Sequence, residues 1–146
     1  MTDDLWQALR ERKKPFSDWS KKEVPNAAGI YTIWDGERFL YVGIGTGTGA
    51  PKSRGLQNRL NAHASGNRGG DQFCVYICDR LVLPTLCLDE IQRVGKGEIR
   101  LNTKVKEYVR HHCSYSFVTL SEDEARKLET QIKSGASPLG KPLLQS

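Results

Sequence analysis

The sequence predicts an α+β domain, a small antiparallel three-stranded sheet packed by helices. Two short apolar-aromatic runs, Gly29-Ile30-Tyr31 and Tyr41-Val42-Gly43, flank Asp35-Gly36 and read as the arms of one β-hairpin. Tyr115 to Leu120 is rich in aromatic and β-branched residues and supplies the third strand. Around these runs apolar residues recur at helical spacing. The expected strands are 28–34, 37–44 and 115–120, and a length of 146 residues suits a single domain spanning 1–146.

Either Thr2 or Asp3 caps a first helix in which Leu5, Trp6 and Leu9 share a face, and Pro15 ends it. The basic residues Arg10, Arg12, Lys13 and Lys14 complement that helix's C-terminal dipole; a phosphate-contacting patch is the competing reading. Residues 15–27 form an irregular lead-in, with Trp19 an anchor against the sheet. Within the hairpin, a two-residue loop pairing Trp34 with Glu37 would put Tyr31 and Tyr41 on opposite faces. A three-residue loop, Trp34-Asp35-Gly36 with Gly36 left-handed, returns both tyrosines to one face and leaves Ile30, Leu40 and Val42 on the other.

The loop from Gly43 to Gly49 is glycine-rich but is not GxGxxG, and Ala50-Pro51-Lys52-Ser53 puts proline where a phosphate loop needs a backbone N–H. A loop lining a nucleic-acid groove and a plain connector are the remaining readings. From Gly55 to Ala64 the pattern is helical, with Leu56 and Leu60 inward and Arg59 and His63 one turn apart on an adjoining face. Asp71 caps a helix running through Phe73, Tyr76, Ile77 and Leu81 to Pro84, although the β-branched content also allows a strand. A short helix starts at Asp89 and ends at Gly95 or Gly97, and another spans Lys104 to His112. Ser121 with Glu124 forms a capping box for a last helix that buries Ala125, Leu128 and Ile132.

Lys and Arg outnumber Asp and Glu by 22 to 17, and the pI is near 9.1, a balance that suits a polyanionic partner as well as a mildly basic protein with none. Cys74, Cys78, Cys87 and Cys113 form no CxxC pair and no zinc-ligand spacing, so they read as small buried residues in a reducing compartment. His111-His112 points two ways from one helix and is no metal motif. No charged start followed by an apolar run stands at the N-terminus and no apolar run approaches membrane-spanning length, so a cytoplasmic protein without membrane contact is expected.

The two tripeptides, with Val42 in place of the usual isoleucine, resemble the signature of the GIY-YIG nuclease superfamily. The R-x-x-x-H pair Arg59 and His63 follows soon after, and Glu129 lies beside Leu128 and ahead of Ile132 and Lys133, similar to that family's late acidic helix. The resemblance implies a GIY-YIG-like fold with a helical insertion at about 71–113, of which the stretch Asp71 to Pro84 looks like the insertion of one bacterial subgroup. It implies divalent-metal-dependent hydrolysis of DNA phosphodiesters, or, as the alternative, a weak or inactive nucleic-acid-binding module. Tyr31 would act as or assist the general base, Tyr41 would orient groups, Arg59 would pair with the scissile phosphate, and His63 would relay a proton. Glu129 would be the one protein ligand to Mg²⁺ or Mn²⁺. A tyrosine titrates near 10, so a phenolate base at neutral pH needs a cationic neighbour, which Arg59 is placed to supply. Lys52, Arg54, Arg68 and Gln145 are the further expected nucleic-acid contacts; Gln145 follows Pro142-Leu143-Leu144 where many members carry asparagine.

Overall fold

The computed structural model describes residues 2–47 and 54–145. In chain order the main elements are α1 (Thr2–Glu11), β1 (Lys14–Pro15), β2 (Gly29–Asp35), β3 (Arg38–Gly45), α2 (Leu56–Ser65), α3 (Gln72–Ile77), α4 (Leu88–Gly95), α5 (Leu101–His112), β4 (Cys113–Thr119) and α6 (Glu122–Lys133). The α+β class stands. The sheet, however, has four antiparallel strands in the order β1-β4-β2-β3, not the three expected. The addition is the pair Lys14–Pro15, matched to Tyr115 and Ser114. Two residues are too few for any period to register, and Pro15 is tolerated because β1 is an edge. No helix among the described residues is long and apolar enough to cross a membrane.

The hairpin reaches the expected outcome by a different route. Asp35 pairs with Arg38, leaving Gly36 and Glu37 as a two-residue loop, and Gly36 adopts φ 61°. Glycine at the first central position with positive φ is what a II′ turn demands. The register then slips once, because Ile33 faces Tyr41 but Trp34 faces Phe39, so Leu40 is an extra residue on β3. This bulge, not a three-residue loop, puts Tyr31 and Tyr41 on one face. It also corrects the place of Leu40, which packs with Tyr31, Ile33 and Tyr41 rather than with Ile30 and Val42.

Helices cover both faces. On one, Trp6 and Leu9 of α1 and Ile132 of α6 bury Ile30, Trp34 and Val42. There the hydroxyls of Thr32 and its cross-strand partner Ser116 lie 2.6 Å apart and both are within reach of the Leu9 carbonyl near the α1 terminus, so one donates to the carbonyl and the other to its neighbour. On the other face Leu56 and Leu60 of α2, Phe73 and Ile77 of α3, and Val105 and Val109 of α5 enclose Tyr31, Ile33, Leu40 and Tyr41. Trp19 does anchor on the sheet, edge-on to Tyr115 at 5.4 Å. Residues 72–85 are helical throughout, passing from α3 into a π turn and a 3₁₀ turn. Of the cysteines, Cys74, Cys78 and Cys113 are buried as expected, whereas Cys87 is exposed ahead of α4. Leu40 is fully buried at the bulge, so Leu40→Ala is expected to cost about 2–5 kcal/mol, read as a lowered urea midpoint. The half-buried Leu128 is expected to cost clearly less, and the reverse ranking would contradict this packing.

Candidate active site

The hairpin and α2 bring four of the expected residues together. Tyr31 and Tyr41 lie side by side with ring centroids 6.4 Å apart, and the His63 ring sits 5.5 Å from one and 5.7 Å from the other. Gly43, opposite Tyr31 on β3, makes room for this: a Cβ there would stand 2.3 Å from the Tyr31 hydroxyl. The last glycine of the Tyr-Val-Gly run is thus explained by the tyrosine it faces. Gly43→Ala is expected to displace the buried phenol, lowering the melting temperature by several degrees and breaking the Tyr31–His63 bond. Wild-type stability in that variant would show that the phenol has slack.

The polar contacts form a directed chain. The Arg59 guanidinium lies within hydrogen-bonding reach of the Tyr31 hydroxyl. That hydroxyl is 2.6 Å from His63 Nε2, and His63 Nδ1 is 2.8 Å from Asp71 Oδ2. Asp71 Oδ2 also accepts from the Cys74 thiol at 3.3 Å, while Oδ1 accepts the Phe73 backbone N–H at 3.1 Å. Tyr31 and His63 are closed off from solvent, whereas Tyr41 is 7% exposed and Arg59 half-buried. Among the described residues Arg59, a half-buried cation beside two phenols, makes no ion pair, and the Asp71 carboxylate acts on it through its field alone.

Burial dominates the electrostatics. It pushes the Tyr31 phenol well above its ordinary value, with Tyr41 adding to the rise and Arg59 opposing it. Tyr41 is likewise pushed up to about 12 by burial, again against Arg59. The cationic neighbour is present as expected, but its field is the smaller effect, and neither phenol ionises near neutrality by itself. Burial also lowers His63 from its ordinary value, against the pull of Asp71. Burial raises Asp71 too, but its bond to His63 and the fields of His63 and Arg59 outweigh that, and its carboxyl ends below the ordinary range. At neutral pH the pair is therefore a neutral imidazole and a carboxylate.

Glu129 projects from α6, which packs against β3, and its charge reaches Tyr41 across that edge strand. Its side chain is 23% exposed and lies 3.5 Å from Lys133. Among the described residues no group of three or more His, Cys, Asp or Glu is clustered to hold a metal. One half-buried carboxylate is a hard oxygen donor that fits Mg²⁺ or Mn²⁺ carrying a mostly water shell, and does not fit the multidentate cage that calcium or structural zinc requires.

The further expected contacts are placed apart from one another. Lys52 lies outside the described residues, as do Thr48 and Gly49 of the glycine-rich loop, whose first residues, Gly43 to Gly45, continue β3. Arg54 is exposed. Arg68 is half-buried and tied to the Asn102 side chain at 2.7 Å, linking the turn after α2 to α5. Gln145 docks on the edge of β3, accepting from the Val42 N–H at 2.8 Å and donating to its carbonyl at 2.9 Å. Of the basic run at the end of α1, Lys13 sits over the Trp34 ring at 4.3 Å and Lys14 pairs with Glu23 at 3.1 Å. Two residues of the site go beyond the sequence reading: Phe73, packed 4.8 Å from His63 and 5.1 Å from Tyr41, and Asp71, legible only as a helix cap. No family model, curated protein or solved structure matches the chain.

Proposed function

We propose that this chain is a divalent-metal-dependent endonuclease that hydrolyses DNA phosphodiester bonds on a GIY-YIG-like core. The observation that carries the reading is the convergence of Tyr31, Tyr41, Arg59 and His63 on one face, with Glu129 across the edge strand. A half-buried guanidinium with no ion pair among the described residues suits a scissile phosphate, which would satisfy its fork and its charge together.

In the proposed reaction the phosphate draws Arg59 off the Tyr31 hydroxyl that it screens. The attacking water then meets the Tyr31 oxygen and is oriented by Tyr41. As the water gives up a proton to that oxygen, the phenol passes its own proton to His63 Nε2, so no free phenolate forms in the buried site. Glu129 would hold Mg²⁺ or Mn²⁺, which when bound stabilises the departing 3′-oxygen.

The complete burial of Tyr31 favours one other reading, a module that grips nucleic acid through Arg59 without cutting it, since that needs no rearrangement. Supercoiled plasmid incubated with and without Mg²⁺ separates the two. Mg²⁺-dependent nicking is expected, and binding without nicking would leave only the module. Either way, affinity for DNA should fall steeply from 50 to 200 mM salt as phosphate contacts are screened. A flat salt dependence would argue for a ligand other than nucleic acid.

A further inference from the structure

The Asp71 carboxylate is used at both oxygens, and the two uses are fixed differently. Oδ1 caps α3 by accepting the Phe73 N–H, a backbone donor that cannot turn away. Oδ2 is thereby aimed at His63 Nδ1, 2.8 Å away in a buried site, while the other ring nitrogen faces the Tyr31 hydroxyl. A carboxylate only accepts, so Nδ1 carries the hydrogen and Nε2 is left as a bare acceptor. We propose that Asp71 is a positioning residue, whose anchoring as a helix cap holds His63 in the Nδ1–H tautomer so that Nε2 receives the Tyr31 hydroxyl proton. The use made of that proton rests on the nuclease reading above; the tautomer does not.

The groups facing His63 are Tyr31 from β2, Tyr41 from β3, Phe73 and Cys74 from α3 with Asp71 at its cap, and Arg59 from its own helix. Among them Asp71 alone bonds Nδ1. Asp71→Asn separates this role from simple support of the fold. The amide oxygen must stay on the Phe73 N–H to keep the cap, which turns the NH₂ group onto His63 Nδ1 and forces the ring into the Nε2–H form.

The experiment is ¹⁵N NMR of the imidazole nitrogens at neutral pH, with plasmid nicking and thermal melting on the same proteins. Wild type should show a protonated Nδ1 and a bare Nε2. In Asp71→Asn the two should exchange, with melting nearly unchanged and nicking lowered roughly 10²–10⁴-fold, the span of a lost general acid–base contribution. An Nε2–H ring in wild type, an unchanged tautomer in Asp71→Asn, or undiminished nicking alongside an exchanged tautomer would each overturn the proposal. If Asp71→Asn does not fold, Asp71→Ser, which keeps a cap acceptor but cannot span to Nδ1, should lose the single tautomer and at least tenfold in nicking; retention of both would overturn it. A wild type that nicks nothing defeats the nuclease reading instead, and the nitrogen shifts then decide this one alone.

Discussion

Glu129→Gln is expected to lower Mg²⁺-dependent nicking by about 10³-fold or to below detection, because a neutral amide is a poor ligand for a hard cation that otherwise holds only water and phosphate. The substitution keeps side-chain volume at a position of no great burial. The Lys133 pair it breaks is a partly exposed i, i+4 contact worth about 0.3–0.5 kcal/mol. Folding should therefore be almost unaffected. Binding should hold or tighten, since a negative charge is removed from the path of a polyanion. Gel shift without divalent ion, set beside plasmid nicking with Mg²⁺, tests the two halves separately. Full nicking by this variant would mean that the metal is held elsewhere.

Tyr31→Phe should lose two or more orders of magnitude in nicking rate, and the pH profile says why. Burial holds the Tyr31 phenol well above its ordinary value, so its direct ionisation supplies no rise in rate just above neutrality. In the proposed reaction the acceptor for its proton is His63, which works only when neutral. Its pKa is lowered from the ordinary 6.5, so protonation removes the acceptor as pH falls through that lowered value. Wild-type nicking should then be level between about pH 7 and 9 and decline in acid. A phenolate base stabilised by Arg59, the arrangement the sequence suggests, would instead make the rate climb above neutrality. Tyr31→Phe should be slow throughout, and the phenyl ring also leaves His63 Nε2 buried without its partner, at about 1–3 kcal/mol of stability. Tyr41→Phe should lose less activity. A climb from pH 7 to 9 that vanishes in Tyr31→Phe would restore the free phenolate as the base.

Much of the architecture was legible because it repeats locally. Leu56 and Leu60 mark the buried stripe of α2, Ser121 and Glu124 announce α6, and Asp71 announces α3, since each signal lies within one turn of the element it specifies. The demand that Tyr31 and Tyr41 share a face excluded the simplest register of the hairpin. It could not choose between a longer loop and a bulge at Leu40, because both restore the same alternation. The edge strand Lys14–Pro15 was invisible for a plainer reason: its two residues find their ladder partners in Ser114 and Tyr115, a hundred positions away.

By itself, then, the sequence determined the elements that carry the candidate residues: two tyrosines on a hairpin, Arg59 and His63 one turn apart, and Glu129 on a late helix. Only the tertiary structure decided what those groups are in chemical terms. Enclosure by α2, α3 and α5 raises the phenols despite Arg59 and keeps His63 neutral, because the cost of desolvating a charge depends on everything packed around it. The tertiary structure also gave Asp71 its second bond. Left-handed turns at Gly66 and Gly70 bring a helix cap back onto His63, a contact that no periodicity along the chain records.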